Sequence, residues 1–189
     1  MDKKAEKIRL RRLFLDKRDL LSYEFIKIAS KQIHENLQKI NSFKKAEKIG
    51  AYYSIGSEVL TKDILQEILK SGRQLSIPKV VGDDLVFKRI SSFADLEKGN
   101  FPVLEPKKNC PDATEMDVIL VPAIAMTRDG QRLGYGYGYY DRYLAHRRSK
   151  TIALTYSGQI VKTIPATQQD VKIDYVVTED EIFSTSKIA

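Results

Sequence analysis

The chain has 189 residues, of which 42% are hydrophobic and 30% charged, a composition typical of globular proteins rather than disordered or fibrous ones. Its net charge is +7. No apolar run approaches the roughly 18–20 residues of a membrane span. The single cysteine, Cys110, excludes an internal disulfide framework and is typical of a reducing cytoplasm. We therefore expect one cytoplasmic domain over residues 1–189, with no membrane partner. Two histidines are too few for a structural zinc site, so any metal should be a hard cation on oxygen ligands.

The first predicted helix, residues 3–20, contains most of the excess positive charge. Leu10, Leu13 and Phe14, with Leu20 or Leu21, give it an apolar stripe. Lys7 and Arg11 are four residues apart, so both project from one face. Such a face is often only a solvated surface. It can also bind nucleic acid or a smaller polyanion such as ATP.

Helix and strand patterns then alternate along the chain. A second helix begins after the N-cap Ser22 and reaches about residue 40, and a polar connector leads to a strand at 48–53. A helix follows at 61–71, with Thr61 as its cap and Gly72 at its end, and then strands at 74–80 and 85–90. A brief helix at 92–98 and a loop at 101–114 complete this half. The alternation favours helices on both faces of a mostly parallel sheet.

Two residues near the end of the strand at 48–53 are candidates for ligand binding. Tyr53 ends this strand, and Glu58 follows after a short loop. Ligands of parallel α/β sheets bind at the carboxyl ends of strands. A carboxylate there can accept hydrogen bonds from the N–H groups of a ligand. Alternatively, Glu58 only complements the dipole of the next helix.

The most distinctive stretch is residues 127–144, TRDGQRLGYGYGYYDRYL. The apolar run at 117–126 predicts a buried strand before it, and a helix is predicted after it. Between them, Gly134, Gly136 and Gly138 alternate with aromatic residues, as in a loop whose N–H groups approach a phosphate. Arg132 and Asp141 flank the glycines and favour phosphate and metal. The spacing matches neither a P-loop nor a dinucleotide fingerprint, so a tight strand-to-helix connection stays open.

The remaining chain predicts a strand at 151–156, a turn of helix at 159–163 and a final strand after Asp174. Asp170 lies in the polar segment before that strand.

The run GQRLGYGYGYYDRYL closely resembles the motif Gly-x-Arg-x-Gly-x-Gly-x-Gly-Tyr/Phe-Tyr-Asp of the 5-formyltetrahydrofolate cyclo-ligases. KIRLR at residues 7–11 resembles the Lys-x-x-Leu-Arg element that this family places at the ATP phosphates. Glu105-Pro106 resembles a Glu-Pro pair common in the family, and Asp170 the Asp of a Pro-x-x-x-x-Asp element associated with magnesium. The resemblance covers nearly the whole chain. It implies a three-layer α/β/α Rossmann-like domain with about six strands, which we expect to be a monomer.

The resemblance also implies a reaction and its residues. The family converts 5-formyltetrahydrofolate and MgATP to 5,10-methenyltetrahydrofolate, ADP and phosphate through an iminium phosphate, with no nucleic-acid partner. Arg132 would be catalytic, and Asp141 and Asp170 would hold Mg²⁺. ATP would be bound by Lys7, Arg11, Arg132, Leu133, Gly134, Tyr135, Gly136, Tyr137, Gly138, Tyr139 and Tyr140. The reduced folate would be bound by Tyr53, Glu58, Tyr135, Gly136, Tyr137, Gly138 and Tyr139.

One position departs from the family pattern. Tyr137 stands where some relatives have Lys and many bacterial ones have Gly. Two other classes of function also stay open: an α/β enzyme acting on a sugar phosphate or CoA ester, since fold does not fix function, and an RNA-binding protein that uses the basic helix and stacks bases on the tyrosines.

Overall fold

The computed structural model describes residues 2–99 and 103–185. Their helices are α1 (Lys3–Asp19), α2 (Tyr23–Leu37), α3 (Asn41–Lys45), α4 (Lys62–Lys70) and α5 (Tyr139–Leu144). Their strands are β1 (Lys48–Gly50), β2 (Gln74–Val81), β3 (Asp84–Ile90), β4 (Leu96–Lys98), β5 (Leu104–Pro106), β6 (Val118–Pro122), β7 (Ala125–Thr127), β8 (Arg132–Leu133), β9 (Lys150–Leu154), β10 (Ile160–Val161), β11 (Tyr175–Val177) and β12 (Ile182–Ser184). None of the helices in these two ranges is long and apolar enough to cross a membrane.

Seven of the described strands form the main sheet, in the order β12-β11-β9-β6-β1-β2-β3. The five inner strands are parallel, and β12 and β3 are antiparallel at the two edges. This confirms the predicted α/β class with a mostly parallel sheet. The sheet has one strand more than the expected six because the chain turns back after β11 and adds β12 to the edge.

Helices cover both faces of this sheet, which makes the three layers that the sequence predicted. Along β6 every residue is buried, as expected for a central parallel strand covered on both sides. Val118 lies in the same buried cluster as Ile33 of α2 and Leu65 of α4. The neighbouring Ile119 points to the other face and lies in a cluster with Leu144 of α5. Alternate side chains therefore supply the two halves of the core.

Helix α1 lies against a second, three-stranded sheet with the order β10-β7-β8. Its buried residues Leu10 and Phe14 share a cluster with Leu133 of β8. The predicted stripe was wrong at Leu13, which is 38% exposed. Of the two residues predicted for its end, Leu20 is 86% exposed, whereas Leu21 is partly buried against the main core. The helix uses a narrow apolar seam because it covers only this small sheet.

Four local predictions were also wrong. The apolar run at 117–126 forms two strands in different sheets, because β6 pairs with β1 and β9 whereas β7 pairs with β8 and β10. The polar connector at 41–45 is the short helix α3. The segment at 92–98 is one 3₁₀ turn followed by β4, which pairs with β5 inside the predicted loop. Residues 101 and 102 of that loop lie outside the described residues.

The ends of α4 illustrate how tertiary contacts change a local signal. Thr61 precedes the helix as predicted, but its side chain makes no capping bond. Its hydroxyl instead donates to the carbonyl oxygen of Tyr52 at 2.8 Å. At the other end, Gly72 has φ +77°, the left-handed conformation expected just after a helix.

Candidate active site

The glycine loop, residues 134–138, connects β8 to α5. Gly136 has φ +104° and Gly138 has φ +72°. Any other residue would be strained in this conformation, so the glycines are explained by the shape of the loop. The helix that follows has only six residues, so its dipole contributes little to the binding of an anion. The N–H groups of the loop itself are therefore the relevant feature for such a ligand.

A large cleft, called here the α1 cleft, lies between the start of α1, the glycine loop, α5 and the segment at 167–170. Its volume is about 1320 Å³. The side chains at its wall that can bind anions or cations are Asp2, Lys3, Lys4, Lys7, Arg11, Asp84, Asp141, Arg142, His146 and Asp170. The mixture of fixed cations and carboxylates, with exposed loop backbone, suits a polyanion that is accompanied by a metal ion.

Two contacts attach α1 to the walls of this cleft. The Nζ atom of Lys7 donates to both carboxylate oxygens of Asp170, at 2.8 and 2.6 Å. Burial opposes ionisation of Asp170, but hydrogen bonds from Lys7 and from the backbone N–H of Thr167 keep its pKa below the usual value. The Nε atom of Arg11 donates to the carbonyl oxygen of Gly134 at 2.8 Å. Both predicted cations of α1 therefore lie at the cleft.

A second space, called here the aromatic pocket, lies at the carboxyl ends of β1, β2 and β6. It consists of two adjoining cavities of about 150 and 300 Å³. Residues lining one or both are Tyr52, Tyr53, Ile55, Glu58, Ile77, Pro78, Val80, Leu85, Val103, Leu104, Glu105, Pro122, Arg132, Gly134, Tyr135, Tyr137, Gly138, Tyr139 and Tyr140. The place in the sheet is the usual ligand site of open α/β folds, and the flat apolar walls suit an aromatic ring system.

Two buried carboxylates line the aromatic pocket, Glu105 with 5% of its surface exposed and Glu58 with 4%. The Oε1 of Glu58 accepts a hydrogen bond from the Tyr135 hydroxyl at 2.7 Å, and its Oε2 accepts one from the Ile55 N–H at 2.9 Å. Burial raises the pKa of Glu58, although these hydrogen bonds and the nearby Arg18 act in the opposite direction. Because each carboxylate oxygen has two acceptor sites, Glu58 can still accept bonds from a ligand.

Arg132 lies at the end of the pocket nearest to Asp141. Its Nη2 donates to Asp141 Oδ2 at 3.0 Å and its Nη1 to the carbonyl oxygen of Pro122 at 3.3 Å. Its Nε is buried and has no hydrogen-bond partner among the described residues. A buried donor without a partner costs free energy, so Arg132 is less fully satisfied than a purely structural arginine would be.

Comparison with known proteins identifies the family. The model of the 5-formyltetrahydrofolate cyclo-ligase family matches residues 3–179. The chain belongs to this family of enzymes. The 5-formyltetrahydrofolate cyclo-ligase of Mus musculus is 31% identical over 156 residues, which are 74% of this chain and 77% of the mouse protein.

Two solved structures of methenyltetrahydrofolate synthetases have the same fold. The 5,10-methenyltetrahydrofolate synthetase of Aquifex aeolicus superimposes with a TM-score of 0.88 at 33% identity, over 97% of this chain and 94% of its own. That of Mycoplasma pneumoniae gives a TM-score of 0.74 at 25% identity, over 95% and 99%. The resemblance inferred from the sequence motifs is thereby confirmed for the family and the fold.

The residues expected from the cyclo-ligase motifs fall into two groups that meet at the glycine loop. The α1 cleft is lined by Lys7, Arg11, Tyr135, Gly136, Tyr137, Gly138, Asp141 and Asp170. The aromatic pocket is lined by Tyr53, Glu58, Arg132, Gly134, Tyr135, Tyr137, Gly138, Tyr139 and Tyr140. The side chain of Leu133 lies in the core under α1 and lines neither space. Four residues expected to bind ATP thus line the pocket and not the cleft, namely Arg132, Gly134, Tyr139 and Tyr140.

Two arginines at the site were missed by sequence reasoning. Arg18 is buried and donates to the Tyr135 hydroxyl at 3.0 Å. It continues the face of Lys7 and Arg11 by seven residues, which is a helical spacing that could have revealed it. Arg142 follows Asp141 and donates to the carbonyl oxygens of Tyr137 and Asp83. No spacing in the sequence indicates these carbonyl contacts.

Proposed function

We propose that this protein catalyses the ATP- and Mg²⁺-dependent cyclisation of 5-formyltetrahydrofolate to 5,10-methenyltetrahydrofolate, with release of ADP and phosphate. One observation carries the proposal: the glycine loop is a wall of both the α1 cleft and the aromatic pocket. ATP in the cleft and a reduced folate in the pocket would therefore meet at this loop. The similar proteins of mouse, Aquifex aeolicus and Mycoplasma pneumoniae are named for this activity or its product.

Lys7, Arg11 and the N–H groups of the glycine loop would bind the phosphates of ATP. Lys7 supplies a point charge, whereas Arg11 supplies a planar group whose free N–H donors can bind phosphate oxygens. Arg11 already contacts the Gly134 carbonyl, so phosphate binding and loop position would be coupled. Tyr135, Tyr137 and the backbone of Gly136 and Gly138 would border both substrates.

The aromatic pocket would bind the pterin ring. Glu58 would accept hydrogen bonds from the N–H groups of the amino-pyrimidine, and Tyr53 and Tyr139 would contact the faces of the ring. A buried carboxylate is a strong acceptor because no water competes for it.

The chemistry needs the two substrates side by side because a formyl oxygen is a poor leaving group. Transfer of the γ-phosphoryl group to that oxygen releases ADP and gives an iminium phosphate. The neighbouring N10 amine then attacks the formyl carbon and forms the new carbon–nitrogen bond. Phosphate departs with the former formyl oxygen, and the N10 proton passes to solvent. Arg132, near the junction of the two spaces, would stabilise the charge on the transferred group.

Mg²⁺ would neutralise charge on the phosphates of ATP, and Asp141 and Asp170 would hold it. Within the described residues there is no group of three or more His, Cys, Asp or Glu side chains placed to hold a metal ion. This fits an ion carried mainly by phosphate oxygens, because such magnesium sites need only one or two carboxylates. Asp141 and Asp170 both line the α1 cleft, where those phosphates would lie.

The proposal is tested by mixing the protein with MgATP and 5-formyltetrahydrofolate and following the near-ultraviolet absorbance of the methenyl product. We expect product only when ATP, Mg²⁺ and folate are all present. Arg12→Gln is a matched control, because Arg12 lies on the exposed face of α1 and should leave the rate unchanged. No ATP-dependent product at saturating substrates would refute the proposal. The family match favours this reaction over sugar-phosphate or CoA chemistry and over RNA binding.

A further inference from the structure

A chain of hydrogen bonds runs from Arg18 of α1 through the Tyr135 hydroxyl to the buried carboxylate of Glu58 in the aromatic pocket. The Nη2 of Arg18 donates to the Tyr135 hydroxyl at 3.0 Å, and that hydroxyl donates to Glu58 Oε1 at 2.7 Å. The Nε of Arg18 donates to the Ser57 hydroxyl at 3.0 Å, and Ser57 in turn donates to Asp19. Arg18 is therefore held at both ends of its guanidinium group, and its position is fixed relative to Glu58.

Arg18 differs from the other cations of α1 in its surroundings. It is 5% exposed, whereas a long basic side chain is normally buried only when it is paired. It has no direct ion pair with Glu58, and the contact is made through the Tyr135 hydroxyl. Its guanidinium also lies 6.0 Å from the centre of the Tyr135 ring. Burial of a cation costs free energy unless hydrogen bonds and an opposite charge compensate for it. For Arg18 the hydroxyls of Tyr135 and Ser57 accept these hydrogen bonds.

We propose that Arg18 is a positioning residue for the folate, which orients the Glu58 carboxylate and favours its charged form through the Tyr135 hydroxyl. This inference rests on the proposed function, because it takes Glu58 as the group that binds the pterin. Helix α1 then serves both substrates from one face. Lys7 and Arg11 contact the phosphates, and Arg18 orients Glu58, the carboxylate that binds the pterin.

The charged and titratable groups that face Glu58 support a specific role for Arg18. Four tyrosines from four segments surround this carboxylate, namely Tyr52, Tyr135, Tyr140 and Tyr156. Burial raises the pKa of each of them, so all four are neutral at working pH. Arg18 is the one cation that acts on Glu58 within the described residues. Asp19 acts on Arg18 from the opposite side.

The direction of the effect on pH dependence follows from these contacts. The folate must be bound by ionised Glu58, so kcat/KM for folate should fall on the acidic side as Glu58 takes up a proton. The Tyr135 hydroxyl and the Arg18 charge both stabilise the ionised form. Their removal should raise the pKa of Glu58. The acidic limb, which is the part of the pH profile where kcat/KM falls toward low pH, should then move to higher pH.

The experiment measures KM for folate, KM for ATP and the pH profile of kcat/KM for Tyr135→Phe, Arg18→Gln and Arg18→Lys. Tyr135→Phe keeps the ring and removes only the hydroxyl, so it should fold normally. We expect its folate KM to rise about tenfold, as for a lost hydrogen bond to a charged group. The fall of its kcat/KM at acidic pH should move to higher pH, because the pKa of Glu58 rises when the Tyr135 hydrogen bond is lost, and its ATP KM should stay within about twofold of wild type. Arg18→Lys should lie between wild type and Arg18→Gln.

Tyr143→Phe is the matched control, because the buried Tyr143 hydroxyl has no hydrogen-bond partner in the part of the chain that the structure describes and lies outside both spaces. Wild-type folate KM and an unmoved acidic limb in Tyr135→Phe would overturn the proposal. Equal rises in both KM values with an unmoved limb would also overturn it, since that pattern reports only a structural role. A wild-type protein that forms no methenyl product would instead overturn the proposed function together with this inference.

Discussion

Arg132→Ala tests the part of the mechanism that the structure makes most specific. Arg132 is 8% exposed and its guanidinium reaches Asp141 at 3.0 Å. It lines the aromatic pocket and not the α1 cleft, so it should act on the phosphoryl group during transfer more than on ATP before transfer. Loss of one charge-stabilising donor in a buried site costs roughly 10²–10³ in kcat. We therefore expect kcat to fall about 100-fold or more, with little change in the KM for ATP.

The matched variant is Tyr137→Gly, which removes the aromatic side chain between Gly136 and Gly138. The Tyr137 side chain is 61% exposed and its ring stacks on Tyr139 at 5.7 Å. The Tyr137 side chain lies at the wall of both spaces, so its removal should keep most of kcat and at most raise the folate KM. Steady-state kinetics of both variants, with thermal unfolding curves to confirm folding, give the ranking. An inactive Tyr137→Gly beside an active Arg132→Ala would refute the reasoning.

Three further predictions concern the two substrates and the metal. Lys7→Ala and Arg11→Ala should each raise the ATP KM by about tenfold or more, because a charge-assisted contact contributes roughly 1.5–3 kcal/mol; unchanged ATP kinetics in both would show that the pair is only a solvated face. Glu58→Gln should raise the folate KM about tenfold or more while ATP binding is unchanged. It should also remove the fall of kcat/KM at acidic pH that the raised pKa of Glu58 predicts. Intact folate affinity in isothermal titration would show that another group binds the pterin. Asp141→Asn should move the magnesium requirement to higher concentration, and Asp170→Asn should do so more weakly. Magnesium titrations identical to wild type in both aspartate variants would remove the metal assignment.

The elements that the sequence predicted correctly are those whose own residues determine them. Ser22 caps α2, with its hydroxyl accepting from the Phe25 N–H at 3.2 Å, and Gly72 ends α4. The all-buried strand β6 was visible as a continuous apolar run. In each case the signal lies within a few residues and needs no distant partner.

The elements that were missed depend on distant contacts. Nothing near Leu13 indicates that α1 covers only a small sheet and leaves this residue exposed. The boundary between β6 and β7 is set by which strand each segment pairs with, far away in the sequence. Short strands such as β5 form only because β4 lies opposite. Pairing partners of this kind cannot be read from local periodicity.

The motifs indicated the residues of the candidate site but not their grouping. The glycine motif gave the loop, and the spacing of Lys7 and Arg11 gave one face of α1. The sequence did not reveal that Arg132 faces the pocket or that Leu133 lies in the core. It also did not reveal that Arg18, which shares a helix face with Lys7 and Arg11, is buried, because the burial of a basic residue is decided by what packs on the helix. The three-dimensional fold was needed to separate cleft from pocket.

The central claim is that ATP activates the formyl oxygen of the folate, and the fate of that oxygen tests it most directly. 5-Formyltetrahydrofolate labelled with ¹⁸O in the formyl group is converted with unlabelled MgATP, and the released phosphate is analysed by mass spectrometry. If the γ-phosphoryl group is transferred to the formyl oxygen, each turnover places one ¹⁸O atom in phosphate. Unlabelled phosphate, with the ¹⁸O lost to water, would contradict the account.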